Sequence, residues 1–173
     1  LVLDDFGQNE NESGIDEVVR SEAALFAAPE LVDADIDLDD FEGTSFENGF
    51  VRIQEVFNGG GVQQLSVQNQ GTGAGQIGFD GTNVSFEGTT IGTVNATSNG
   101  VDGAVLQIDL NANATAESAE ALAEALTIGI TGNLSSTTTI GFDVSIANGA
   151  GVQTNFTRAQ QTLIRDLTIV DVD

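Results

Sequence analysis

Apolar and polar residues alternate in short runs along most of the chain, and glycine-containing turns separate these runs. Successive side chains of a strand point to opposite faces, so a period of two predicts β-strands with one buried face. Asp80-Gly81 lies between two such runs and is typical of a tight hairpin turn. The predicted strands are Phe50–Val56, Gln64–Gln68, Gly75–Phe79, Asn83–Phe86, Thr90–Val94, Val105–Leu110, Ile140–Ile146 and Ile164–Val172.

One segment repeats with the period of a helix instead. Thr115 is of a type that caps helix N-termini, and Glu117 follows where the helix dipole favours negative charge. Apolar residues then recur at spacings of three and four: Ala119, Leu122, Ala123 and Leu126. The pattern predicts one short helix near residues 116–126. With the evenly spaced strands, it predicts an all-β fold, an antiparallel β-sandwich with that helix packed on a sheet.

Acidic residues and glycine are distributed oppositely. Residues 1–42 carry 14 of the 27 acidic residues but only 2 of the 21 glycines. We therefore divide the chain into an acidic lead-in, residues 1–28, and a β-sandwich domain, residues 29–173. The lead-in has apolar stretches at Leu1–Leu3, Ile15–Val19 and Ala23–Ala28. Two alternatives are open for it: a strand within its own sandwich, or a strand swapped or added to the sheet of a neighbouring copy.

The charge balance excludes several functions. The chain has 27 acidic and 4 basic residues, all four of them arginine, and a formal net charge of -23. Nucleic-acid binding requires a basic surface, and anionic membranes attract basic segments, so we expect neither partner. No run of about 18 apolar residues is present, so we expect no membrane insertion.

Cysteine and histidine are both absent. This excludes disulfides, zinc or haem sites of the usual kind, and catalytic triads built on those residues. No pair of carboxylates stands out as a general acid and base, so we predict that the chain is not an enzyme. The chemistry that remains is that of oxygen ligands, which suit calcium.

The densest group of such ligands is the acidic run Asp33–Asp40. In a strand, alternate aspartates of this run would share one face and repel each other, whereas a turn near Asp39 would bring several oxygens together. Calcium takes six to eight oxygen ligands and would neutralise the repulsion. Further acids near the two chain ends would meet at a junction if domains follow head to tail. The candidate calcium ligands are Asp33, Asp35, Asp37, Asp39, Asp40, Asp4, Asp5, Asp171 and Asp173. The alternative is an acidic solvated surface, typical of salt-adapted proteins.

Several segments have a specific family likeness: Val32–Phe41, Asn48–Ile53, Leu65–Gly78, Gly81–Gly92, Leu110–Thr115 and Thr138–Val144. They resemble parts of the cadherin-like tandem repeats of large bacterial surface proteins and adhesins. The most recognisable is Leu110-Asn-Ala-Asn-Ala-Thr115, followed by a short helix rich in alanine and leucine. The resemblance covers most of residues 31–173. It implies an extracellular, cell-surface β-sandwich that is strung in tandem and often stiffened by calcium.

Two departures from the family pattern affect this interpretation. Where the family has an acidic Asp-Gly-Asp-Gly type turn, this chain has Ala147–Gly151 without a carboxylate, so one expected calcium ligand is missing. Glu124 stands where a basic residue is common. We predict an extracellular structural module of a surface adhesin, fibre or filament, rigidified by calcium. Its expected partners are neighbouring copies or tandem domains of the same protein. The alternative is a calcium-dependent module that binds a glycan or a host surface.

Overall fold

The computed structural model of the protein describes residues 2–4, 15–34, 36–39, 45–57, 63–132, 138–149 and 160–170. These residues form thirteen strands and two helices. The strands are β1 Val2–Asp4, β2 Ile15–Ser21, β3 Glu30–Leu31, β4 Asp37–Asp39, β5 Phe50–Phe57, β6 Gln63–Val67, β7 Ile77–Phe79, β8 Asn83–Phe86, β9 Thr89–Asn99, β10 Leu106–Leu110, β11 Leu126–Ile130, β12 Thr138–Ala147 and β13 Gln160–Val170. The helices are α1 Glu22–Ala27 and α2 Ala116–Glu124.

The strands form two main sheets. The larger has eight strands in the order β2-β13-β12-β5-β10-β9-β8-β7, and the smaller has three in the order β3-β11-β6. A two-stranded sheet, β1-β4, accompanies them. The pairings are antiparallel except that of β2 with β13, which is parallel. The predicted all-β antiparallel sandwich is therefore confirmed. The second apolar stretch of the lead-in, Ile15–Val19, lies within β2 and pairs with β13 of its own chain.

The core lies between the two main sheets. From the large sheet, Val51, Ile53 and Phe142 are 0% exposed, and from the small sheet Leu65 and Ile128 are buried against them. Fully burying one such side chain contributes about 1.5–3 kcal/mol to stability. The alternation of apolar and polar residues that predicted the strands therefore reflects side chains that point in turn to this core and to the outer surface.

The predicted helix is confirmed as α2. Its N-terminus is a capping box, in which Ser118 N donates to Thr115 Oγ1 over 3.2 Å and Thr115 N donates to Ser118 Oγ over 2.9 Å. Ala119 and Leu122, two of the predicted apolar positions, are 0% exposed. A further apolar position, Leu126, begins strand β11 instead of ending the helix.

The helix α1 was not predicted. Ser21 caps it, because Ala24 N donates to Ser21 Oγ over 3.1 Å. Leu25 is 1% exposed and anchors the helix, which contacts β11. Ala23–Ala28, considered above as an added strand, therefore lies largely in a helix. It was missed because the segment has only six helical residues and one strongly buried apolar position.

The edge of the large sheet at β7 is closed by side-chain amides of the preceding loop. Ile77 N donates to Gln70 Oε1 over 2.9 Å, and Phe79 N donates to Asn69 Oδ1 over 3.2 Å. In the other direction, Gln70 N donates to the Ile77 carbonyl over 2.7 Å. Unpaired strand edges are templates for aggregation, so these contacts restrict pairing with another chain at this edge.

The edge of the small sheet at β6 is closed by the turn that connects β9 to β10. Leu65 N donates to the Gly100 carbonyl over 2.8 Å, and Gly103 N donates to the Gln63 carbonyl over 2.9 Å. These bonds tie the two sheets together at one side of the sandwich. Gly100 has a φ of +78°, and a Cβ there would collide with the Leu65 carbonyl. Glycine is therefore required both by backbone conformation and by space.

We expect Gly100→Ala to lower the free energy of unfolding by about 3 kcal/mol, because strain at positive φ and loss of the Leu65 contact combine. Gly75→Ala is the matched control, since Gly75 has a φ of +71° with no atom within 4 Å of an added Cβ. The control should cost about 1 kcal/mol, for strain alone. Urea denaturation measures both variants. Equal losses would show that the contact between Gly100 and Leu65 contributes nothing.

Candidate functional site

The acidic run is not one continuous strand. The chain bends at Val32 and Ala34, and only Asp37–Asp39 forms a strand. Asp33 lies outside that strand and is 3% exposed. Asp33 therefore does not share a strand face with the later aspartates of the run. The burial of Asp33 also excludes a simple solvated surface as the description of this one position.

Two acidic segments that are far apart in sequence meet in the two-stranded sheet. Strand β1 pairs antiparallel with β4, and this register places Asp4 opposite Asp37 and Val2 opposite Asp39. The backbone thus brings together candidates from the chain start and from the acidic run. The remaining candidates, Asp35, Asp40, Asp5, Asp171 and Asp173, lie outside the described residues.

Among the side chains that the structure describes, no three carboxylates converge as metal ligands would. That group includes Asp33 but none of the other eight candidates. The predicted junction between the acids of the two chain ends is likewise outside the described residues. The calcium site therefore stays a prediction. The structure adds one fact to it, the backbone pairing of β1 with β4.

Glu55 is a carboxyl on the core face of β5. It follows Val51 and Ile53 at the strand period of two, and it lies opposite Phe142 of β12, beside a register shift at Gly141. Burial raises the pKa of Glu55 to about 7. Within the described part of the chain, its buried Oε1 has no hydrogen-bond partner. Glu55 is thus a titratable group at the margin of the core.

The outer face of the large sheet is polar and linked across strands. Arg52 Nη2 donates to Gln54 Oε1 over 2.7 Å, and Gln54 Nε2 donates to Asp143 Oδ2 over 3.2 Å. On the adjacent strand β10, Asp109 accepts from Gln107 Nε2 at 2.7 Å and from Asn95 Nδ2 of β9 at 2.8 Å. These bonds link neighbouring strands, but the buried atoms Arg52 Nε and Asp143 Oδ1 have no hydrogen-bond partner among the described residues.

The segment Leu110–Thr115, the most recognisable of the resemblance, has a structural role. The side-chain amides of Asn111 and Asn113 both donate to the Thr90 carbonyl, each over 3.0 Å. They fix the connection between β10 and α2 against β9. In a similar way, the Asn83 side chain and backbone donate to Asp80 in the hairpin and hold the pKa of Asp80 below its usual value.

A groove of about 430 Å³ opens where β6 meets the large sheet. Its apolar lining residues are Leu65, Phe79, Val94, Val101 and Leu106. The other four lining residues are uncharged. Its volume lies within the range of roughly 300–1,000 Å³ that is usual for binding pockets. We call it the Val101 groove.

Comparisons with protein-family models, with curated proteins and with solved structures gave no match. The resemblance to cadherin-like repeats therefore stays a prediction. Neither of the two helices among the described residues is long and apolar enough to cross a membrane.

Sequence reasoning missed two features of the site. Glu55 had a detectable signal, because it occupies an apolar-face position of an alternating strand. The Val101 groove had none, because its lining comes from five separate stretches of the chain between Gln64 and Leu106.

We expect Glu55→Gln to change how stability depends on pH. The pKa of Glu55 in the folded state, about 7, lies above its ordinary value of 4.5. The protonated side chain therefore contributes its full stabilisation below pH 4.5, and this contribution is lost as the pH rises through 7. The variant keeps a neutral side chain. It should match the wild type near pH 4 and exceed its free energy of unfolding by about 1 kcal/mol near pH 8, after discounting for partial exposure.

Glu47→Gln is the control, since it removes the same charge at an exposed position. Urea denaturation across pH measures both variants against the wild type. If the two variants follow the same pH profile, general charge repulsion, rather than burial of Glu55, governs the dependence.

Proposed function

We propose that the chain is a structural module of an extracellular assembly, a surface adhesin, fibre or filament, and that calcium stiffens its acidic entry segment. The module has no catalytic task in this proposal. Its function is to hold a fixed shape between neighbouring domains or copies. The resemblance to cadherin-like repeats motivates the extracellular location and the tandem arrangement.

The pairing of β1 with β4 is the observation that carries this proposal. It places Asp4 directly opposite Asp37. Opposite residues of an antiparallel pair have Cα atoms about 4.5–5.5 Å apart, and like charges in that position destabilise the pair. Asp39 follows Asp37 at the same-face spacing of about 7 Å. A cation that binds carboxylate oxygens would turn this repulsion into a link between the two strands.

Calcium fits these residues better than other metals. Every candidate ligand is a carboxylate, and calcium accepts six to eight oxygens in flexible geometry. Magnesium demands a nearly ideal octahedron and releases its water reluctantly. Strand β4 lies in the chain between β3 of the small sheet and β5 of the large sheet, so an ion held between β1 and β4 would fix the first strand to the body of the module.

The described sandwich also suits a mechanical role. Its β7 edge is closed by Asn69 and Gln70, and its β6 edge by Gly100 and Gly103. Closure of these two edges removes two places at which crowded copies could pair their strands. The net charge of -23 acts in the same direction, because it keeps separate modules apart until ions screen it.

We expect millimolar calcium to raise the melting temperature strongly relative to EDTA, with little effect of equal magnesium. A ligand that binds only the folded state at a hundred times its Kd adds about 2.7 kcal/mol. The double variant Asp4→Asn/Asp37→Asn should lose most of this shift, because it removes the charges at two positions that the β1–β4 register pairs. Thermal denaturation followed by circular dichroism measures it.

The charge-matched control is Asp102→Asn/Glu47→Gln, which changes two exposed acids elsewhere. It should keep the calcium response. Equal stabilisation by calcium, magnesium and sodium chloride would contradict the proposal and indicate a salt-adapted surface.

A further inference from the structure

Strand β2 forms one edge of the large sheet, and the described part of the chain places no strand beyond it. The other edge, β7, has three residues and is closed by amide side chains of the preceding loop. Strand β2 has seven residues, and all of them pair with β13 on the inner side. A strand at the end of a sheet leaves a row of N–H and C=O groups for a further strand. The outer side of β2 is therefore the longer edge at which this sheet can be extended.

The charges of β2 are arranged symmetrically about its centre. The strand reads Ile-Asp-Glu-Val-Val-Arg-Ser, so Val18 is its middle residue, and Asp16 and Arg20 each lie two residues from it. Two residues is the same-face spacing of a strand. Arg20 is also one of only four basic residues in the whole chain. The edge strand thus carries one negative and one positive residue at equal distances from its middle.

This symmetry makes the strand complementary to itself. When two copies of a strand pair antiparallel about a two-fold axis, the residue on the axis lies opposite its own copy. With Val18 on the axis, each Asp16 lies opposite Arg20 of the other copy, and Glu17 lies opposite Val19. Opposite charges at facing positions stabilise an antiparallel pair, and like charges destabilise it. With either neighbour of Val18 on the axis, Asp16 and Arg20 no longer face each other.

We propose that β2 pairs antiparallel with β2 of a second copy of this chain, with Val18 on the two-fold axis. The contact joins two eight-stranded sheets into one continuous sheet. The charge pattern assigns a copy as the partner, because one and the same strand supplies both halves of each ion pair. A different protein would need the reverse order of charges on an edge strand of its own.

The net charge of -23 opposes this contact, and the register limits that opposition. At about 0.15 M salt the Debye length is about 8 Å, so repulsion between distant exposed carboxylates is largely screened. Close pairs across the strand contact are screened less. Asp16 and Arg20 of the two copies neutralise each other, so these four positions add no net charge to the interface.

This contact deepens the proposed function by naming how two neighbouring modules join, and it rests on that function for its role in an assembly. Its existence can be measured on the isolated chain. A two-fold contact closes on itself, so it yields a dimer. Longer assemblies then need a second kind of link, such as the covalent connection of tandem domains.

A single introduced cysteine tests the register, because the chain has none of its own. Facing residues have Cα atoms about 4.5–5.5 Å apart, within the range of a disulfide. We expect Val18→Cys to form a covalent dimer under mild oxidation at least ten times faster than Ile15→Cys. The control residue would face Ser21 and lie roughly 20 Å from its own copy. Non-reducing electrophoresis and intact mass measure both variants.

Charge reversal tests the pairing of Asp16 with Arg20. The variants Asp16→Arg and Arg20→Asp should each self-associate at least tenfold more weakly than the wild type, because like charges then face each other. An equal mixture of the two should form a one-to-one heterodimer, since both ion pairs are restored. The double variant Asp16→Arg/Arg20→Asp should self-associate like the wild type. Glu47→Arg reverses an exposed charge elsewhere and should not weaken association.

Sedimentation velocity measures the association, and circular dichroism must show the same fold for every variant compared. If a reversal variant does not fold, the two conservative cysteine variants decide. Three results would overturn the proposal. They are cross-linking of Ile15→Cys as fast as that of Val18→Cys, a mixture of reversal variants that stays monomeric, and a wild type that is monomeric at about 1 mM.

The calcium response of the melting temperature is measured separately on the wild type and on the reversal variants. Loss of that response with intact dimers would reject only the calcium-stiffened module. A calcium response in a chain that stays monomeric would reject only the contact through β2.

Discussion

The register of β5 between β10 and β12 is the constraint on which the rest of the structure depends. It buries Val51 and Ile53 in the core and leaves Arg52 and Gln54 on the outer face. A slip of one residue would exchange these faces and bury an arginine. Glu55 is the exception on the buried face, and the raised pKa is its physical consequence. The same register fixes the outer polar network, because Gln54 meets its partner only when β12 is aligned.

Closure of the sheets determines where this molecule can contact others. Amide side chains close the β7 edge, and the turn at Gly100 closes the β6 edge. Backbone pairing with another chain is therefore restricted at these two edges.

The fold was predictable from sequence where one face of a strand is buried. Strand β8 matches its predicted bounds because Val84 is buried between more exposed neighbours. Strand β11 was missed because all five of its residues are buried, which leaves no alternation to detect. The candidate site was predictable only as a set of carboxylates. That Asp4 faces Asp37 depends on pairing across more than thirty residues of sequence, which composition and periodicity do not encode.

Local clustering of charge is what separates ion binding from general salt adaptation. Salt screens exposed carboxylates over a Debye length wherever they lie, so a salt-adapted surface has no need to concentrate them. In this chain 14 of 27 acidic residues fall within residues 1–42, and the structure pairs two segments of that part with each other. Carboxylates at paired positions repel most strongly at short range. A cation bound between them reduces this repulsion more than a diffuse cloud of counter-ions does. The clustering within residues 1–42 is the feature of the charge distribution on which the proposed calcium site depends.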